Sequence, residues 1–260
     1  MDVAGRTALV TGASNGIGEQ FARQLAERRA HLVLVARRTD KLAALKSEIN
    51  DAHPDVTVTV ITADLADAAA AGHVAEQIAQ AGITIDLLVN NAGVGSHDNF
   101  VDEDRAAMAS QIQLNVGSLV DLTARFLPGM LSRDFGGVLN VASTAAFQPV
   151  PTMAVYAATK AFVLSFTEAL WGETRGTGVR VLTLCPGATQ TAFFDNTGKT
   201  FLTSGRQSPA TVAQVALRAL DGSAPTVVSG LSNRLGATGY RFLPRSLMVR
   251  VSANQVKESA

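Results

Sequence analysis

Cysteine, tyrosine, tryptophan and histidine are all scarce: one, two, one and four among 260 residues. The single Cys185 excludes an internal disulfide and suits a reducing compartment; its place in an apolar run reads as a buried structural thiol. The histidines are scattered without metal-ligand spacing, so no metal site is expected. Neither sign of charge is in excess, with 22 basic and 22 acidic residues. No global field therefore favours nucleic acid or an anionic surface as partner. No apolar run approaches the ~18 residues of a membrane span. A strand pattern begins almost at the first residue, leaving no room for a signal peptide. These absences together lead to the expectation of a cytoplasmic protein.

What is present is a compact composition, 47% apolar and only 17% charged. Seven apolar runs read as strands, at 6–11, 31–36, 56–63, 85–90, 137–142, 179–185 and 225–229. Most are continuous rather than alternating, as expected where both faces of a sheet are covered. Amphipathic stretches at 16–29, 40–52, 66–80 and 102–132 lie between them. This alternation predicts an α/β fold, a Rossmann-like, doubly wound parallel sheet with helices on both faces. Residues 1–230 read as one domain with a substrate loop at 187–208, and 231–260 as an arm of that domain. Residues 186–208 and everything after Ser229 read as irregular.

The run "TGASNGIG" (11–18) follows the first strand and opens the first helix. Gly12, Gly16 and Gly18 fit a turn where backbone approaches a pyrophosphate and a helix N-terminus faces it. Glycines also serve plain tight turns, and it is the strand–helix position that favours a dinucleotide. At the end of the second strand, an acid would bond the ribose 2′-hydroxyl of NAD, and an arginine the 2′-phosphate of NADP. Arg37 and Arg38 occupy that place, with Asp40 two or three residues late, which favours NADP(H).

With "ADL" (63–65), "NNAG" (90–93), Asn115, Ser143, "YAATK" (156–160) and "PGATQT" (186–191), these motifs resemble the short-chain dehydrogenase/reductase family in order and spacing, over nearly the whole chain. The likeness is to its single-domain branch. It implies a catalytic set of Asn115, Ser143, Tyr156 and Lys160. It also implies a cofactor site built from Gly12, Ser14, Asn15, Gly16, Ile17 and Gly18 of the turn, Arg37 and Arg38, Asp64 and Leu65, and Asn91, Ala92 and Gly93. Tyr156, Lys160, Pro186, Gly187, Thr189 and Thr191 complete that set. In the family's pattern Asp64 would bond the adenine amino group, Asn91 would fix the fourth strand, and Thr191 would meet the nicotinamide carboxamide. Asn115 would hold a water linking Lys160 to solvent. The plain readings of Asp64 and Asn91 are an Asx-turn and a strand-end cap.

Tyr156 and Lys160 stand at i and i+4, on one helix face. A free phenol, with a pKa near ~10, is a poor base at neutral pH, and an adjacent ammonium favours the phenolate. Ser143 is placed to hydrogen-bond a substrate oxygen as charge develops. The expected activity is NADP(H)-dependent interconversion of a carbonyl and a secondary alcohol. The alternatives are an epimerase or dehydratase on the same sheet and a non-catalytic dinucleotide sensor. Phe147, Val150, Phe193 and Phe194 suggest an apolar pocket for a lipophilic small molecule. The apolar helix after Tyr156 predicts a homodimer or homotetramer, because its outward face needs a partner. Residues 231–251 interleave arginines with apolar residues and contain no acid. They are expected to pack as an arm over the pocket, in preference to resting on a membrane.

Overall fold

The computed structural model describes residues 1–193, 202, 205–240 and 243–256. The seven apolar runs form β1 (Thr7–Thr11), β2 (His31–Ala36), β3 (Val58–Thr62), β4 (Leu87–Asn90), β5 (Gly136–Val141), β6 (Val179–Cys185) and β7 (Thr226–Val228). All pair in parallel, in the order β3-β2-β1-β4-β5-β6-β7. The order reverses between β1 and β4, and a doubly wound sheet opens its ligand crevice beyond the strand ends at such a switch point.

Successive side chains of each strand go to opposite cores. Val10, Leu34 and Leu184 pack with Phe21 and Leu25 of α1 (Gly16–Glu27), Leu42 of α2 (Thr39–Ala52) and Leu217 of a later helix. Leu9, Val35 and Val181 pack on the other face with Val74 and Ile78 of α3 (Ala70–Gln80) and Leu122 and Met130 of α5 (Ser118–Ser132). This two-sided burial explains why the strands read as continuous apolar runs.

Two of the amphipathic stretches are shorter or more divided than their pattern suggests. Asp64 and Asp67 accept from the main-chain N–H groups of Ala66 and Ala69, and these local turns delay α3 to Ala70. The stretch 102–132 is capped by Asp104, runs as α4 (Arg105–Ile112), loosens into a π-helical turn (Gln113–Gly117) and resumes as α5. Asn115 stands in that turn, and π-bulges inside helices recur at functional sites.

α6 (Ala154–Glu173) carries Tyr156 and Lys160, and α7 (Pro209–Ala219) lies beside α1. The region after Ser229 is a correction: it is helical, as α8 (Leu231–Gly239) and α9 (Arg245–Gln255). Of the three breakers in this stretch, Gly236 lies inside α8, while Gly239 ends it and Pro244 precedes α9, so the arm is two short helices and not one long one. Pro244 occupies the N-cap of α9, outside the interior where a missing N–H breaks the ladder. α9 is docked by the Ser252 hydroxyl, which donates to the Pro149 carbonyl at 2.6 Å, and by His97 Nε2 on the Val256 carbonyl at 2.8 Å. Arg241 and Phe242 lie outside the described residues.

Candidate active site

The glycine turn is built by contacts that exclude side chains. Gly12 has φ 66°, and a Cβ there would sit 2.9 Å from the Ala92 Cα. Asn91 ties this turn to β4: its side-chain amide donates to the carbonyls of Thr11 and Gly12, and its own N–H donates to the Thr11 hydroxyl. Its strand-cap role is therefore present in the hydrogen bonds. The N-terminus of α1 has no side-chain cap, which leaves its first N–H groups for an anion.

Two adjoining cavities share Asn15, Asn91 and Gly93. The first, about 350 Å³, is lined by Gly12, Ser14, Arg37, Arg38, Asp64, Leu65 and Ala92. The second, about 470 Å³, is lined by Gly16, Ile17, Ser143, Tyr156, Lys160, Pro186, Gly187, Thr189 and Thr191. The resulting groove runs from a pair of arginines to a phenol, and this donor set fits an extended, phosphate-bearing dinucleotide. Gly18 packs beneath the turn without lining either cavity. Arg38 lies across the turn with its guanidinium 3.1 Å from the Ser14 hydroxyl, while Arg37 leans toward Asp64 at 3.7 Å. Asp64 also makes the plain Asx-turn.

Asn115 is buried, not solvated. Its Oδ1 accepts from the Val94 N–H at 3.0 Å, and its amide donates to the Val94 carbonyl and the Thr159 hydroxyl. The π turn thus fastens the loop after β4 to α6, next to Lys160. The Lys160 ammonium is buried and donates to the Val141 carbonyl at 2.8 Å. Ser143 follows β5, and its Oγ accepts from the Ala145 N–H at 3.1 Å. The Tyr156 ring packs on Phe193, centroids 5.1 Å apart.

Electrostatics here differ from the simple lysine-tunes-tyrosine expectation. Burial pushes the Tyr156 phenol up to about 12, and a hydrogen bond with Ser143 works in the opposite direction. Burial also lowers Lys160 to about 8. Desolvation dominates because Lys160 Nζ is engaged by Val141 and stands 5.8 Å from the tyrosine ring centroid. Near neutrality Tyr156 is thus a protonated acid and Lys160 a readily discharged ammonium. Cys185 nearby is buried with its thiol pushed up to about 12, which matches an inert structural residue.

The apolar lining is partly as anticipated. Val150 and Phe193 line the cavity, whereas Phe147 packs into a core cluster with Leu119, Val163 and Cys185. Phe194 lies outside the described residues. Met153, Leu202, Asn233, Ser252, Gln255 and Val256 also line the cavity. The last four come from α8, α9 and the residue after α9, so the arm contributes to the cavity wall, mostly through residues beyond the 231–251 stretch. The amide oxygen of Gln148, also on the lining, is buried without a hydrogen-bond partner.

Beneath the site, Asn90 donates to Asn140 at 2.9 Å and to Thr123, and Asn140 donates to Thr167. This buried chain joins β4 and β5 to α5 and α6. Nothing in the spacing of Asn90 and Asn140 reveals it, because their pairing exists only through the β4–β5 register.

Among the described residues, no three metal-ligating side chains cluster, and no helix is long and apolar enough to cross a membrane. A family model described as short chain dehydrogenase matches residues 6–201. The chain is 30% identical to ketoacyl reductase HetN of Nostoc sp., over 87% of this chain and 79% of that protein. It is 35% identical to the very-long-chain 3-oxoacyl-CoA reductase of Bos taurus over 70% of this chain, and spans 59% of that relative's length. Among solved structures, a 7beta-hydroxysteroid dehydrogenase superposes with a TM-score of 0.87 at 25% identity, covering 97% of this chain and 99% of that one. A short-chain dehydrogenase from Sphingobium yanoikuyae in complex with NADPH superposes with a TM-score of 0.83 at 31% identity, covering 91% and 94%.

Proposed function

Because the chain belongs to the short-chain dehydrogenase family, we propose that it is an NADP(H)-dependent oxidoreductase interconverting a carbonyl and a secondary alcohol on a small to medium, lipophilic substrate. The observation that carries this reading is the convergence of Ser143, Tyr156 and Lys160 on the cavity that continues the glycine-turn groove. When bound, the nicotinamide supplies the hydride. The turn residues Ser14 to Ile17 and Arg37 and Arg38 would hold the phosphates, with Asp64, Leu65 and Ala92 beside the adenosine. Pro186, Gly187, Thr189 and Thr191 would bound the nicotinamide end.

The chain's own residues do the rest. Ser143 donates to the substrate oxygen and holds it toward Tyr156. Tyr156, protonated near neutrality, delivers its proton to that oxygen in reduction and recovers it in oxidation. Lys160 stabilises the phenolate left behind and is itself kept in place by Val141. Asn115, through its bonds to Val94 and Thr159, positions the loop and helix around Lys160, and the family resemblance implies that it would hold a water linking Lys160 to solvent.

The preference for NADP(H) rests on Arg37 and Arg38, since charge-assisted bonds to phosphate are the strong kind. Arg37→Ala is expected to weaken NADPH binding roughly 10- to 100-fold while changing NADH binding little, with Arg38→Ala a second contributor. A fluorescence titration of each variant with both nucleotides checks this. Equal losses for both nucleotides would remove the arginines from the phosphate site.

Val150, Met153, Phe193 and Val256 support a lipophilic substrate body.

We also infer a homo-oligomer built on α4–α6. Phe162 of α6 is 43% exposed and stacks on Phe166, while Ile112 and Leu131 of α4 and α5 are also exposed. Light scattering at micromolar protein is expected to give a dimer or tetramer mass, and a stable monomer would end this reading.

A further inference from the structure

Three segments far apart in the chain meet at the apolar end of the cavity, and one imidazole joins them. The loop after β4 brings Gly95 so close that a Cβ there would stand 2.5 Å from the Phe193 ring and 3.1 Å from the Tyr156 ring. The turn at 149–153 supplies Val150 and Met153, and the residue after α9 supplies Val256. These three and Tyr156 pack as one buried cluster. His97, two residues beyond Gly95, is only 6% exposed. Its Nε2 is 2.8 Å from the Val256 carbonyl and 3.2 Å from the Thr152 hydroxyl. A carbonyl only accepts, so Nε2 carries the hydrogen and donates to both oxygens.

Thr152 is held against its own preference. Its φ of 64° lies in the left-handed region, which is costly for a β-branched residue. Two bonds from the loop after β4 oppose that cost: the Thr152 carbonyl accepts from the Asp98 N–H at 2.8 Å, and its hydroxyl accepts from His97. Met153, next in the chain, is thereby set in the cavity wall. On the other side, Ser252 anchors α9 to Pro149, but Val256 lies one turn further on and is fastened to the loop by His97.

We propose that His97 is a substrate-positioning residue. Its Nε2–H sets the spacing of Met153 and Val256 across the cavity, and with it the affinity for the lipophilic part of the substrate. His97 itself is not on the lining of either cavity, so it acts through the residues it fastens. The cofactor groove is insulated from it, because Asn115 holds Val94 at the near end of the same loop by two bonds. The role rests on the catalytic reading above, since the wall is positioned for that substrate.

Two replacements separate the Nε2 bond from mere polarity. In His97→Gln the amide nitrogen can stand where Nε2 does and reach Val256; in His97→Asn it ends short, near the position of Nδ1. His97→Asn should raise KM for a lipophilic ketone about fivefold to tenfold, with kcat and NADPH affinity within about twofold of native. His97→Gln should return KM to within about twofold. Thr152→Val keeps the shape and removes only the second acceptor, so it serves even where the Asn variant is unstable; it should raise KM about twofold to threefold. Hydrogen exchange needs no turnover, and the α9 amides should open faster in the Asn variant than in the Gln variant. Native KM in both the Asn and Val variants overturns the proposal. So does a Gln variant as impaired as the Asn one, or a parallel fall in kcat and NADPH affinity, which would make His97 a general support of the fold. Unchanged exchange in the Asn variant overturns the fastening itself, whereas a native chain without turnover on any ketone overturns the catalytic reading and the substrate role built on it.

Discussion

Tyr156→Phe is expected to lower kcat for carbonyl reduction about a thousandfold while leaving NADPH affinity within a few-fold of the native value. The phenylalanine ring retains the contact with Phe193 and fills the same buried space. Only the hydroxyl is lost, and that is the group whose phenol burial holds up to about 12, protonated throughout the neutral range. Single-turnover reduction and a separate nucleotide titration would divide chemistry from binding. Normal turnover in this variant would mean that the proton comes from another group, and the acid assignment would be wrong.

Lys160 should show a different signature, in pH as well as in rate. Lys160→Met keeps most of the volume but removes the ammonium; it is expected to lower kcat/KM about a hundredfold and to weaken nucleotide binding as well. In the native protein burial lowers this lysine to about 8. Below that value it is charged and stabilises the phenolate formed when Tyr156 gives up its proton. Above it the ammonium discharges and that support is lost. Reduction should therefore fall as pH rises through about 8, and alcohol oxidation, which needs a proton removed from the tyrosine–lysine pair, should rise over the same window. The two groups share a site, so the observed titration belongs to the pair. Rate–pH profiles in both directions check this, and the Met variant should lose the break near 8.

The sheet was legible because its signal is redundant. Each strand is a run of residues buried on both faces, and the alternation with helices admits a parallel, doubly wound order. That Ser143, Tyr156 and Lys160 line one cavity accords with the family resemblance of their motifs, since helix spacing alone relates only Tyr156 to Lys160. Three things were not legible, each for a local reason. The π turn at Gln113–Gly117 has no composition of its own, and α4 before it buries only Gln111, so no apolar stripe precedes it against which the extra residue's shift could be read. The arm looked irregular because it holds Gly236, Gly239 and Pro244, yet α8 accommodates Gly236 in its interior and the other two fall at helix ends. The sign of the tyrosine shift depended on burial and on Val141 occupying the lysine, and a sequence contains neither fact. Phe147 shows the same limit, because a residue adjacent in sequence to one that lines the cavity, Gln148, can itself pack against the core.

The most direct test of the central claim is to incubate the protein with NADPH and a panel of lipophilic ketones and aldehydes, counting alcohol formed against NADPH consumed. The proposed function predicts at least one substrate for which the two match mole for mole, with both lost in Tyr156→Phe. Tight binding of NADPH with no consumption across the panel would contradict it and leave a dinucleotide sensor. Consumption that continues undiminished in the Phe variant would contradict the assigned proton donor.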